Sequence, residues 1–359
     1  VGVFVLLTKQ GVIKTHALVI IAILALSTIG AVAGLLYFQS VSASPILFTD
    51  MSGRQVQVNS TAKRIIVMES YWTEITCVLG AKEKIVGIGT YVKDSVFIPT
   101  DVKNLTVVGN MFSGVNLETI VSLKPDVVIM DFGYGKSSDI IAGLEGLGIP
   151  VVTLRGSSFN DITAATQMIA KVVGADAKAQ TLVNYMNNSH APIISTSASI
   201  PGTSRPTVLI CNLDVWKDGL IYCYANSTWG QSVTYIGGIN LALRDNPTLS
   251  YIKVNMEQVL TWNPDILVII GRTNSSLTTQ LASMNSSLWP ELDAVKQGKV
   301  YTILSGAKDP NAFLDWTPRL IVGEMQLAKM INPTTFTSLD WNATATALFA
   351  QYYNAMLGR

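Results

Sequence analysis

The order of apolar and polar positions repeats along this chain. Asn116 to Met130 reads N-L-E-T-I-V-S-L-K-P-D-V-V-I-M, and Asn255 to Ile269 reads N-M-E-Q-V-L-T-W-N-P-D-I-L-V-I. The two stretches share Asn, Glu, Pro and Asp, stay apolar at the same later positions, and begin 139 residues apart. In each, the Asn is suited to cap a short helix, and the Glu two positions on falls in its first turn, where the helix dipole favours a negative charge. Pro then ends the helix, because the residue before it is pushed out of the α region, and Asp starts the turn. The unbroken run V-V-I-M or I-L-V-I follows as a strand apolar on both faces, which belongs in a parallel sheet covered by helices. The duplication predicts two similar α/β lobes.

The remaining pattern fills in those lobes. T-D-M-S-G-R-Q-V-Q-V reads as a β-hairpin turning at Ser52-Gly53, and Arg64 to Met68 as a buried strand. A helix from about Tyr71 to Gly80, strands K-I-V-G-I and L-T-V-V-G, the first duplicated unit, a helix near Ser138 to Leu147 and the strand I-P-V-V-T-L complete the first lobe, 45–176. Phe159 to Val173 is helical, and a breaker-poor stretch over 177–200 predicts one long helix between the lobes. The second lobe, 201–359, opens with T-V-L-I-C and runs through a helix near Gly230 to Tyr235, the second unit, a Ser/Thr-rich helix and K-V-Y-T-I-L. T-P-R-L-I-V-G-E-M-Q-L-A-K-M follows as a helix with Pro318 near its first turn, and Ala343 to Met356 as a final helix that packs back on a lobe. Strands alternating with helices imply parallel βα units, whose ligands bind at the carboxyl ends of the strands.

Residues 1–44 follow a different pattern. Lys9, Lys14 and His16 precede Ala17 to Phe38, a run without charge and about long enough to span a bilayer. Positive charge before it and none directly after predicts the N-terminus inside and everything from about Ser40 outside. Val41-Ser42-Ala43 offers small residues to a signal peptidase, but the run exceeds a usual signal core, so a retained membrane anchor is expected. No Cys lies nearby to take a lipid. Asn-x-Ser/Thr triplets at Asn59, Asn104, Asn187, Asn226, Asn274, Asn285 and Asn342 fit an exported, glycosylated chain. Cys77, Cys211 and Cys223 are too few for a metal site or a disulfide framework; Cys211 and Cys223 either pair across neighbouring strands or stay buried thiols. A net charge of +1 with no basic run gives no reason to expect nucleic acid.

The candidate chemistry is that of binding. There is no G-x-S-x-G, H-E-x-x-H, Walker loop or G-x-G-x-x-G after a strand, and His16 and His190 cannot build a metal centre. Aromatic residues instead gather at strand ends. Tyr71, Trp72, Tyr91, Phe112 and Tyr134 do so in the first lobe, and Trp216, Tyr222, Tyr224, Trp229 and Trp316 lie in or beside loops of the second. Such side chains form flat walls for a large ligand, while Arg155, Arg272 and Arg319 suit carboxylate or catecholate oxygens.

Taken in order, T-D-M-S-G-R-Q-V-Q-V, R-I-I-V-M-E-S-Y-W-T-E, K-I-V-G-I, the first unit, G-I-P-V-V, G-G-I-N-L-A, the second unit and V-K-Q-G-K-V-Y resemble the substrate-binding proteins of ABC importers for ferric siderophores, haem and cobalamin. The resemblance covers about residues 46 to 335 and implies two Rossmann-like lobes joined by one long helix, with the cargo between them. It also implies that Glu118 and Glu257 dock onto arginines of a permease dimer driven by cytoplasmic ATPases. A monomer with no catalysis and no cofactor of its own is expected, its cargo a ferric siderophore, haem or cobalamin. An enzyme or redox subunit on the same scaffold, or a sensing module, is the alternative.

Overall fold

The computed structural model describes residues 45–213, 220–284 and 288–358. The membrane-anchor expectation lies outside them. Among the described residues no helix is long and apolar enough to cross a membrane.

The chain begins with the hairpin β1 (Ile46–Thr49) and β2 (Gln55–Val58), paired antiparallel. Asp50 fixes the turn. Its carboxylate accepts from the backbone N–H groups of Ser52 and Arg54 at 3.1 and 2.9 Å, and from Thr153 Oγ1 at 2.6 Å, which pins the hairpin to the first lobe.

The first lobe holds β3 (Ile65–Val67), β4 (Ile85–Gly89), β5 (Thr106–Asn110), β6 (Gly114–Val115), β7 (Val127–Asp131) and β8 (Val151–Leu154), in the order β6-β5-β4-β3-β7-β8. All pairs are parallel except β5 with β6. The chain thus lays down strands in one direction from β3 and then returns to its other side, so the strand order reverses between β3 and β7.

The second lobe holds β9 (Thr207–Asn212), β10 (Ile221–Tyr224), β11 (Ile239–Asn240), β12 (Tyr251–Val254), β13 (Ile266–Gly271) and β14 (Val300–Leu304), in the order β12-β10-β9-β13-β14 with β11 beside β9. Here β9, β11, β13 and β14 run parallel, but β10 pairs antiparallel with both β9 and β12, so the sheet is mixed rather than wholly parallel. An apolar run does not encode strand direction.

Helix Phe159–Val173 starts at Ser158, whose side chain accepts from Asp161 N, and stops at Gly174, which takes a left-handed φ of +71°. The connecting helix follows at once as Asp176–Ala198, 23 residues or about 34 Å, and accommodates Pro192. The C-terminal helix Trp341–Leu348 and its π-helical continuation Phe349–Tyr353 return to the connecting helix and the first lobe, where Tyr352 meets Tyr185 and Tyr353 reaches Glu74.

Alternation along the strands sorts the core. Ile65, Val67, Val127 and Ile129 of the first lobe share one apolar cluster with Val208, Ile210, Val268 and Ile270 of the second and with the connecting helix. The opposite faces enter separate cores, Ile66, Val128 and Met130 in one lobe and Leu209, Cys211, Leu267 and Ile269 in the other. Cys211 and Cys223 face each other across β9 and β10, and both are buried free thiols.

The duplicated units match in atomic detail. Asn116 accepts from Thr119 N and Asn255 from Gln258 N, each at 2.9 Å. Lys124 and Asn263, the residues before the two prolines, are the positive-φ non-glycine residues among those described, at +47° and +37°. Asp126 then accepts from Lys63 N and Arg64 N at 2.7 and 2.9 Å, and Asp265 from Thr207 N and Oγ1 at 2.8 and 2.7 Å. Each Asp therefore ties the helix-to-strand turn to the start of the neighbouring central strand.

Candidate ligand-binding cleft

In an open parallel sheet the crevice for a ligand opens where the strand order reverses, at the carboxyl ends of the strands. In the first lobe that point lies at the ends of β3 and β7. Glu69 stands there as the N-cap of helix Ser70–Val78, and Asp131 closes β7. Asp131 gathers donors: Trp72 Nε1 reaches Oδ1 at 2.6 Å, and the hydroxyls of Tyr71 and Tyr134 both donate to Oδ2. Its own backbone N–H donates to Glu69 Oε2 at 3.2 Å. Both carboxyls are buried, and no cation pairs with either among the described residues. Burial pushes Asp131 up to about 6, against the three donors that hold it down. Burial first, and the Asp131 charge second, raise Glu69 well above the ordinary range.

From Asp131 a row of rings runs both ways. Tyr134 stacks on Phe112 at 6.3 Å, and Phe112 meets Tyr91 at 6.5 Å; all three are exposed. In the other direction Tyr71 meets Trp316 edge-on at 4.7 Å, and Trp316 stacks on Trp229 at 5.9 Å. The row continues to Tyr224 at 4.6 Å, Tyr222 at 5.4 Å and Tyr251 at 4.5 Å. It crosses from one lobe to the other at Tyr71 and Trp316. Trp316 sits there because Gly156 leaves room; a Cβ on Gly156 would fall 3.0 Å from Trp316 Cγ. On one flank Thr228 donates to Gly156 O, and Gln231 to Ser157 O at 3.2 Å. On the other, Val96 N donates to Ala307 O at 2.8 Å, and Lys308 pairs with Asp94 at 3.0 Å.

The three arginines have separate fates. Arg272 is exposed, with its guanidinium carbon 5.5 Å from the Trp229 ring centroid and no ion pair among the described residues. Arg155 is also exposed, but its guanidinium already holds Asp161 through two contacts of 3.1 Å. Arg319 is not at a ligand surface. It is fully buried, with Glu74 at 2.8 and 3.0 Å, Asp315 at 2.9 Å, and its guanidinium carbon 3.6 Å from the Phe97 ring centroid. Trp72, expected as a wall, is likewise fully buried and serves Asp131 from behind. Trp216 lies outside the described residues. Asp131 and Tyr251 went unnoticed in the sequence, although a charged residue ending an apolar strand run was the available signal for Asp131.

Glu118 and Glu257 lie exposed in the first turns of Leu117–Ser122 and Met256–Trp262. A surface groove borders each helix, of about 810 Å³ along Val107–Gly109 and Ser113–Glu118, and about 470 Å³ along Tyr251–Val254, Gln258 and Trp262.

Two α/β lobes around a polar-aromatic seam define a two-lobed ligand-binding protein. The model of the family described as "Periplasmic binding protein" matches residues 65–306, and this chain belongs to that family. The chain is 30% identical over 300 residues, 83% of its length and 89% of the relative's, to the uncharacterized ABC transporter substrate-binding lipoprotein YvrC of Bacillus subtilis. It is 24% identical to the cobalamin-binding protein of Halobacterium salinarum, over 81% of this chain and 75% of that one. Among solved structures, the molybdate-bound MolA of Haemophilus influenzae superposes with a TM-score of 0.71 at 20% identity, covering 86% of this chain and 98% of MolA. YvrC and MolA are both named as binding proteins of ABC transporters, and MolA has the fold described above.

Proposed function

We propose that this chain is the extracytoplasmic substrate-binding subunit of an ABC importer and that its cargo is a corrinoid. The observation that carries the choice of cargo is the pairing of a long aromatic row with very little free positive charge. A molybdate dianion or a catecholate siderophore calls for several cations or directed donors. Among the described residues this seam offers one uncommitted guanidinium, Arg272, and one ammonium, Lys136, which donates to Ser113 O at 3.2 Å, while the first lobe sets the Asp131 carboxyl behind two phenols. A corrinoid is large and carries little net charge. Its broad face suits the exposed and half-buried rings of the row, Tyr91, Phe112, Tyr134, Tyr71 and Trp316, and its carboxamide N–H groups suit the phenol oxygens of Tyr71 and Tyr134. The relative from Halobacterium salinarum that is named for cobalamin supports the same choice. An uncharged ferric hydroxamate is the second reading, favoured by the same scarcity of cations.

The cargo would be handed to a membrane permease through Glu118 and Glu257, whose helices match in capping and exposure and each border a groove. The apolar segment 17–38 would keep the subunit at the membrane. A thermal-shift series on the fragment from Ser44 tests the cargo, using cobalamin, ferric hydroxamate, ferric catecholate, haem and molybdate. Cobalamin at a hundred times its dissociation constant should add about 2.7 kcal/mol of stability. A shift with molybdate or catecholate alone would refute the reading.

A further inference from the structure

The carboxyl ends of β13 and β14 hold polar groups without partners. Arg272 follows β13 directly and lies against Gly306, where an added Cβ would fall 2.6 Å from Arg272 Nη1. Ser305 N donates to Gly271 O at 2.9 Å, which brings the end of β14 alongside. Ser305 is fully buried and Trp229 is 5% exposed, yet Ser305 Oγ and Trp229 Nε1 have no hydrogen-bond partner. Folded proteins seldom leave a buried hydroxyl and a buried indole N–H unmatched; here Ser305 directly precedes Gly306, against which the Arg272 guanidinium lies, and the Trp229 ring centroid is 5.5 Å from that guanidinium. Arg155 and Arg319 are engaged elsewhere, so among the described residues Arg272 is the seam arginine that no carboxylate holds.

We infer that Arg272, Ser305 and Trp229 form a subsite for a single anionic group of the cargo, and that it takes the phosphodiester of a nucleotide-bearing corrinoid. The inference rests on the corrinoid reading and adds an orientation to it. The phosphodiester lies against the second lobe, and amide donors face Asp131 in the first. A guanidinium meets two phosphate oxygens in its plane, and the hydroxyl and indole N–H supply further donors. On the Asp131 side the phenol and indole donors are turned to the carboxylate, which itself repels an anion.

The test compares cobalamin with cobinamide, a corrinoid that lacks the nucleotide loop and its phosphodiester, by calorimetric titration of the wild-type fragment and of Arg272→Gln. Arg272 is exposed and ends a strand, so the substitution leaves the core intact. Wild type should prefer cobalamin by roughly tenfold or more, the range for a hydrogen bond to a charged group. Arg272→Gln should bring the two affinities together, mainly by weakening cobalamin. Equal wild-type affinities, or a preference that survives Arg272→Gln, overturn this inference alone. Binding of neither corrinoid overturns the cargo reading and the subsite with it.

Discussion

Asp131 is the residue on which the first-lobe half of the seam turns. Its two oxygens hold an indole and two phenols in place, and among the described residues no cation pairs with it. Because burial lifts its folded value to about 6 from the usual 3.8, the folded protein holds a proton between pH 4 and 6 that the unfolded chain releases. Its contribution therefore makes stability fall as pH rises through that window. Asp131→Asn should flatten this decline in a series of melting temperatures from pH 4 to 7, and an unchanged slope would show that Glu69 alone is responsible. At this scale the sequence was an uneven guide. Tyr71 and Tyr134 were legible as aromatic residues after strand ends, and the structure joins both to Asp131, but the same signal also picked out Trp72, which is buried. Arg319 was not, since a guanidinium looks the same whether it awaits a ligand or a carboxylate, and its partner Glu74 lies 245 residues away.

Among elements, the duplicated helix-turn-strand unit was the most legible, because its capping Asn, its Pro and its apolar run act over a few residues. What the pattern left open was the task of the Asp, which ties a strand some sixty residues earlier, from Asp126 to Arg64 and from Asp265 to Thr207. Asp265→Ala should cost about 1 to 2 kcal/mol in denaturant unfolding, the scale of hydrogen bonds to a charged group in a partly exposed setting. The turn also predicts a gain. Lys124 occupies a left-handed conformation that Asn tolerates, and Asn263 fills the same position in the second copy. Lys124→Asn should stabilise the protein by up to about 1 kcal/mol, and a loss in the same assay would show that Lys124 is held by contacts rather than strained. Strand direction in the second lobe was beyond the pattern for a different reason: β10 and β12 owe their polarity to how loops return, which side-chain periodicity does not record.

At the scale of the whole molecule the lobes are bound together more firmly than a hinge would require. One apolar cluster passes through both, the connecting helix lies against it, and the Arg319–Glu74–Asp315 group crosses the boundary in full burial. Glu74→Ala would take from buried Arg319 the carboxylate that meets it twice and leave it with Asp315, and should cost about 3 kcal/mol. A calorimetric scan of wild type should give one transition rather than one per lobe. The docking role proposed for the two surface glutamates is tested separately from the lobes' rigidity. Charge reversal at Glu118 and Glu257 together should abolish uptake by cells while leaving cargo affinity unchanged, and a fall in affinity would count against a docking role.

The stacked Trp229 and Trp316 also make the seam visible to light. These two indoles lie in the row of rings between the lobes, with Tyr71 at the edge of one and a guanidinium over the other, whereas Trp289 is sealed in the second lobe's own core. If the cargo is the corrinoid proposed above, its absorption overlaps indole emission, and its arrival should darken the seam pair more than the core indole. The chain thereby carries its own occupancy gauge together with an internal standard, and no dye need be attached to follow the cleft as it fills and empties.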